Sequence, residues 1–176
     1  MRFESLLRRN LDRALMDQRS PAQLYALIFG VVLVAVGILG FFYESSFATG
    51  EDTLVERDAV LGILDVNGWH NVVHILSGLL GLSLAGSWFG ARLYAIGFGA
   101  TYLLVAGIGF AVGDGESILG LIPVNTADNW LHVAIAALGL LAGALTPSAP
   151  APTTVGRKSP AAEPSVKRVA EQRGAV

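Results

Sequence analysis

The chain has 176 residues, the length of one domain, yet 53% of them are hydrophobic, only 15% are charged and 21 are glycine, which excludes an ordinary soluble globular domain. It has no cysteine, so a disulfide framework and a thiolate metal site are both excluded. The net charge of -2 comes with no basic and aromatic surface suited to nucleic acid, and neither a Gly-rich phosphate loop nor a nucleophile beside a histidine is present.

Residues 1 to 20 hold Arg2, Arg8, Arg9, Arg13 and Arg19, with Phe3, Leu7, Leu11 and Leu15 recurring every four residues along one side. Two readings are open for this leader, an amphipathic helix on a membrane surface and a solvated flexible segment. It has no continuous apolar core before Pro21, so no cleavable signal peptide is expected.

Four apolar runs follow, Ala22 to Phe42, Val72 to Phe89, Leu93 to Val112 and Trp130 to Leu145. A spanning helix needs about 20 apolar residues, which the first and third runs supply. The second and fourth reach that length only when the polar residues before them are counted in. The expected helices are about 21–42, 67–89, 91–112 and 125–145, within a membrane domain over 21–146. Ser20 is a plausible N-cap for the first, with Pro21 tolerated in its first turn. Ala22, Ala26 and Gly30, and again Ala91, Ala95 and Gly99, form small-residue ladders that allow close helix approach in lipid and, by the same token, homo-oligomers.

The loop from Tyr43 to Asp65 carries Glu44, Glu51, Asp52, Glu56, Asp58 and Asp65 against Arg57, and the loop after the third helix carries Asp114 and Glu116. The turn between the second and third helices carries Arg92, and the tail carries Arg157, Lys158, Lys167, Arg168 and Arg173. Lysine and arginine mark the cytoplasmic side, so both termini are expected inside and both acidic loops outside. The tail over 147–176 opens Pro-Ser-Ala-Pro-Ala-Pro and is expected to be disordered in the cytoplasm.

The most informative stretch is Val66-Asn67-Gly68-Trp69-His70-Asn71-Val72-Val73-His74, which returns 58 positions later as Val124-Asn125-Thr126-Ala127-Asp128-Asn129-Trp130-Leu131-His132. Leu24-Tyr25-Ala26, Phe29-Gly30 and Gly40-Phe41 likewise return as Leu93-Tyr94-Ala95, Phe98-Gly99 and Gly109-Phe110. The expected fold is therefore all-α: a four-helix transmembrane bundle of two helical hairpins in parallel repeat, both termini cytoplasmic.

All three histidines lie in the two copies of the motif. His70 and His74 are four apart and so share one helical face, about 6 Å apart along the axis, and Asp128 and His132 repeat that spacing. Three imidazoles and a carboxylate from the second and fourth helices suit zinc or another borderline divalent ion, which makes His70, His74, Asp128 and His132 the candidate metal ligands. The rival is a polar network at the outer face of a structural or interaction module, in which Asn71, Asn129, Asn67 and Asn125 join the same residues to fix helix register. Two further alternatives are haem b, with His74 and His132 as axial ligands, and a small-ligand or proton-handling site. No catalytic residue is assigned, and an enzyme is expected only as a metal-dependent one. Trp69 and Trp130 are expected at the outer interface and Trp88 at the inner one.

At these motifs the chain resembles the bacterial membrane proteins grouped as domain of unknown function 4383. The resemblance rests on His70-Asn71-Val72-Val73-His74 with Gly78, on Asn125-Thr126-Ala127-Asp128-Asn129-Trp130-Leu131-His132, on Pro21-Ala22-Gln23-Leu24-Tyr25-Ala26 and on Ala91-Arg92-Leu93-Tyr94. It covers roughly residues 21 to 145 and implies a four-helix integral membrane protein in a bacterial inner or plasma membrane. It carries over no activity, cofactor or site residue.

Overall fold

The computed structural model describes residues 19–54 and 59–147. The expected leader and tail lie outside the described residues, apart from Arg19, Ser20 and Pro147. Among the described residues there are four α-helices, α1 (Pro21–Gly40), α2 (Gly68–Leu84), α3 (Trp88–Val112) and α4 (Thr126–Leu145). Two short antiparallel hairpins, β1 (Ala59–Val60) with β2 (Leu64–Asp65) and β3 (Ser117–Ile118) with β4 (Ile122–Pro123), fill the loops before α2 and α4.

Each helix begins where its sequence supplies a cap. The Gln23 amide donates to Ser20 Oγ (3.2 Å) and the Ser20 amide to Gln23 Oε1 (3.0 Å), a reciprocal box completed by Pro21 in the first turn. Asn67, Ser87 and Asn125 cap α2, α3 and α4 through their side-chain oxygens. The Ser87 cap corrects the expected boundaries: α2 stops at Leu84 rather than 89, α3 starts at Trp88 rather than 91, and Arg92 lies inside α3 rather than in the turn. Its guanidinium Nε donates to the Gly143 carbonyl of α4 (3.1 Å).

Helices α1, α3 and α4 are long and apolar enough to cross a membrane. Helix α2 has 17 residues, about 25 Å at 1.5 Å per residue, against a hydrocarbon core of about 30 Å. At that length it is the one α-helix among the described residues that falls short of a span.

The hairpins were not anticipated from sequence, because each strand is two residues long. Both turn through a leucine and a glycine in the left-handed region, Leu61 (φ 56°) with Gly62 (φ 70°) and Leu119 (φ 55°) with Gly120 (φ 66°). Such turns match the twist of the strands they join and strain a leucine. The two loops meet, the Gly50 amide donating to the Gly120 carbonyl (2.8 Å). Every described acidic residue except Asp128 lies in these loops or at their borders, while Arg19 and Arg92 lie at the opposite end.

Helix α1 packs along α2 and α3 along α4, with α1 also touching α3 and α4. Lipid gives apolar side chains no reason to leave it, so helices associate through close packing and hydrogen bonds. A methyl group added at Gly78 would stand 2.6 Å from the Gly30 carbonyl oxygen, and one added at Gly139 would stand 2.8 Å from that of Ala95. Ala22, Ala26, Ala91 and Ala95 are fully buried within the chain. The ladders therefore pack this chain's own helices and are not exposed to a second copy. Two tyrosines tie the pairs together, Tyr25 donating to the Ile135 carbonyl and Tyr94 to the Ser77 carbonyl, both at 3.1 Å.

Gly78→Ala forces two backbones apart, whereas a methyl at Gly97 meets open space. Overpacking of this kind costs about 1–3 kcal/mol, so Gly78→Ala is expected to lower the thermal midpoint in detergent clearly and Gly97→Ala to leave it nearly unchanged. Equal midpoints for the two variants would contradict this packing.

Candidate functional site

The motif residues sort into two groups by what they touch. Asn67 and Asn125 act on both ends of their side chains. Asn67 Oδ1 accepts the His70 amide (2.9 Å) while its Nδ2 donates to the Leu121 carbonyl (2.6 Å). Asn125 Oδ1 accepts the Asp128 amide (2.8 Å) while its Nδ2 donates to the Ile63 carbonyl (2.7 Å). Each asparagine therefore starts its own helix and grips the hairpin turn that precedes the other one.

Asn71 and Asn129 turn away from the histidines. Asn71 Nδ2 donates to the Glu44 carbonyl (2.8 Å), and its Oδ1 lies against Gly40 where a side chain would otherwise be. Asn129 Oδ1 lies against Gly109 in the same way. Neither oxygen has a conventional donor among the described residues, and the contact suits a weak Cα–H···O bond from the glycine. These two asparagines fasten α2 to α1 and α4 to α3.

The histidines form the second group. His70 and His74 from α2 and His132 from α4 are buried, and one ring nitrogen from each lies within 4.8 Å of those of the other two. The His70 and His74 ring centroids are 4.4 Å apart, and Tyr102 of α3 meets His132 edge-on at 4.8 Å. His70 Nδ1 is 3.2 Å from the Asp65 carbonyl, which can only accept, so Nδ1 carries the proton and Nε2 is left with a free lone pair. His132 Nδ1 faces Asp128 Oδ2 at 3.7 Å, with no hydrogen-bond partner for either atom among the described residues, and Nε2 is turned away from the carboxylate. His74 Nδ1 is buried without a partner among the described residues, a state that costs about 1–3 kcal/mol when nothing compensates it.

Of the four candidate ligands, the structure thus brings three together. Asp128 stands behind His132 and is not one of the mutually close donors. Helices α2 and α4 scarcely touch through their backbones, and the rings reach across the space between them. Beside the rings lies a cavity of about 140 Å³ lined by His70, His74, His132, Ser77, Thr101 and Tyr102, among others. The last three were not singled out from sequence. The available signal was a hydroxyl in the middle of an apolar helix.

Three helices long and apolar enough to cross a membrane are consistent with a helical membrane protein, and a cluster of imidazoles is buried at the acidic end of its fold. The sequence pattern of the family DUF4383, described as a domain of unknown function, matches residues 23–145, and the chain belongs to that family. No curated protein and no solved structure matches it.

The double role of the capping asparagines can be separated by substitution. Asn67→Asp keeps the cap acceptor and loses the donor to Leu121, whereas Asn67→Ala loses both. A lost cap costs about 1 kcal/mol, whereas a carboxylate oxygen set against the Leu121 carbonyl in a buried place costs more, so both variants are expected to unfold at lower temperature than the wild type, Asn67→Asp the lower of the two at neutral pH. Both variants are expected to speed amide exchange in the 113–124 loop, and unchanged exchange there would contradict the cross-hairpin tie.

Proposed function

We propose that the protein is a four-span membrane bundle in which His70, His74 and His132 hold one divalent transition-metal ion close to the outer face. The observation that carries this is the convergence of three buried imidazole nitrogens within 4.8 Å. A tetrahedral zinc ion with Zn–N near 2.0 Å holds its nitrogens about 3.3 Å apart, so modest ring rotation closes the set. Imidazole donors suit zinc, cobalt, nickel or copper rather than magnesium or calcium. Asp128 acts on the ion through His132, since a carboxylate on the far nitrogen fixes the ring and raises its basicity.

The structural or interaction reading has support of its own in the four asparagines, all of which bond or pack within the fold. It accounts less well for the histidines. Among the described residues no hydrogen bond joins the three rings to one another or to an asparagine, as a purely structural network requires. Haem b is disfavoured by size, because a cavity of about 140 Å³ is of the order that takes a single benzene ring.

In this reading the body of the chain is a duplicated hairpin in parallel repeat. The like turns at Leu61-Gly62 and Leu119-Gly120, the reciprocal asparagine ties and the reciprocal tyrosine bonds support it. Helix α2 completes the fourth span by burying its polar first turn in protein rather than in lipid. The separation of the described charges, with arginine at one end and carboxylates at the other, supports cytoplasmic termini.

Elemental analysis of protein purified without chelator is expected to give close to one zinc, cobalt, nickel or copper ion per chain. His74→Ala and His132→Ala abolish it, and Asp128→Asn weakens it by about 10- to 100-fold, the usual effect of removing such a carboxylate. A metal-free wild type that also fails to take up added zinc or cobalt would refute the site. Separately, single cysteines at the amino terminus and at Leu119 are expected to react with a membrane-impermeant thiol reagent in opposite sidedness, with Leu119 labelled from outside.

A further inference from the structure

We infer that the ion's fourth coordination position is open, and that it receives a small uncharged ligand entering sideways from the bilayer between α2 and α3. This deepens the metal reading and rests on it. Three protein donors converge and the fourth candidate, Asp128, is held behind His132. Structural zinc sites fill all four positions with protein, whereas a site with three protein ligands keeps one for an exogenous molecule. Here all three rings line the cavity of about 140 Å³, which would receive that position.

The walls of the cavity decide what can enter. Ile122, from the second outer hairpin, stands at its outer end, on the side of the aqueous loops. The lateral face is the more exposed one: Val73 is 41% exposed and Thr101 is exposed, and both line the cavity where α2 and α3 flank it. Thr101 lies eleven residues from the outer end of α3, about 16 Å at 1.5 Å per residue, a depth within the hydrocarbon layer. A molecule reaching the ion by this route therefore arrives from lipid and must be uncharged on the way, because a bare charge is expensive at that depth. The volume limits it to about one aromatic ring. Ser77, Thr101 and Tyr102 line the cavity with hydroxyl-bearing side chains among apolar ones, which fits a ligand with a single donor atom and an otherwise apolar body, such as an azole, a phenol or a thiol.

Pyrazole is a suitable probe, being a neutral five-membered ring with one donor nitrogen. The full-length protein in detergent is loaded with Co(II), whose visible absorption reports its coordination, and titrated with pyrazole. A saturable change in the visible bands is expected in the wild type. Val105→Phe and Ser77→Leu, which fill the cavity from α3 and α2, are expected to bind cobalt with unchanged stoichiometry and to weaken pyrazole at least tenfold. Bound cobalt with no response to pyrazole would mean a closed structural site and would overturn this inference while leaving the metal reading intact. An equal response in wild type and both filled variants would overturn the lateral cavity as the binding place. Failure of the wild type to bind cobalt at all would bring down the metal reading, and this inference with it.

Discussion

The meeting of the three imidazoles depends on where two helices begin. Asn67 and Asn125 each accept a backbone amide of their own helix and donate to a carbonyl of the opposite loop. One side chain thereby sets both the first residue of a helix and its position relative to the other hairpin. In an α-helix a shift of one residue moves the chain by about 1.5 Å and turns the side chain by about 100°. A slip at either cap would therefore rotate His70 and His74, or His132, out of the shared space. Because the ties are reciprocal, α2 and α4 are held level without packing directly against each other.

That indirect arrangement explains why a cavity exists in so small a fold. The close backbone contacts lie within the pairs, Gly30 against Gly78 in α1 and α2, and Gly99 against Ala136 in α3 and α4. Asn71 and Asn129, seated on Gly40 and Gly109, lock the outer ends of the same pairs. Helices α2 and α3 are joined at one end by a short turn, and Tyr94 bridges them higher up. Beyond that bridge, toward the outer face, lie the histidines and the cavity that they line.

Much of this was legible in the sequence because membrane helices leave few signals to confuse. The Ser20 cap, the close packing of the Ala and Gly ladders and the shared face of His70 and His74 all follow from spacing and residue type. The second helix was read too long because its apolar run continues through Trp88 and Phe89, and only the Ser87 cap, a local hydrogen bond to the Gly90 amide, breaks it. The asparagines were read as partners of the histidines because both are polar and adjacent. Their actual partners, the carbonyls of Glu44, Leu121 and Ile63, are backbone groups that no pattern of side chains reveals. Asp128 was read as a fourth ligand because it occupies the position of His70, but its carboxylate points at His132 instead of at the centre.

The departure of Asp128 from His70 belongs to a wider asymmetry, which bears on why one site exists rather than two. Under the proposed duplication, the positions matching Ser77, Thr101 and Tyr102 are Ile135, Val32 and Leu33. Leu33 and Ile135 are 3% and 7% exposed and belong to the apolar core. The groove between α4 and α1, which the repeat makes equivalent to that between α2 and α3, thus has apolar side chains where the other carries hydroxyls. Aliphatic side chains need no hydrogen-bond partner, whereas a hydroxyl buried without one costs about 1–3 kcal/mol on mutational scales. A duplicated hairpin under selection for packing alone has reason to keep the aliphatic set in both halves. Here the polar residues gather in one groove, Ser77 from the first hairpin and Thr101 and Tyr102 from the second, beside the imidazoles of His70 and His74, while α4 supplies the ring of His132 and the carboxylate behind it.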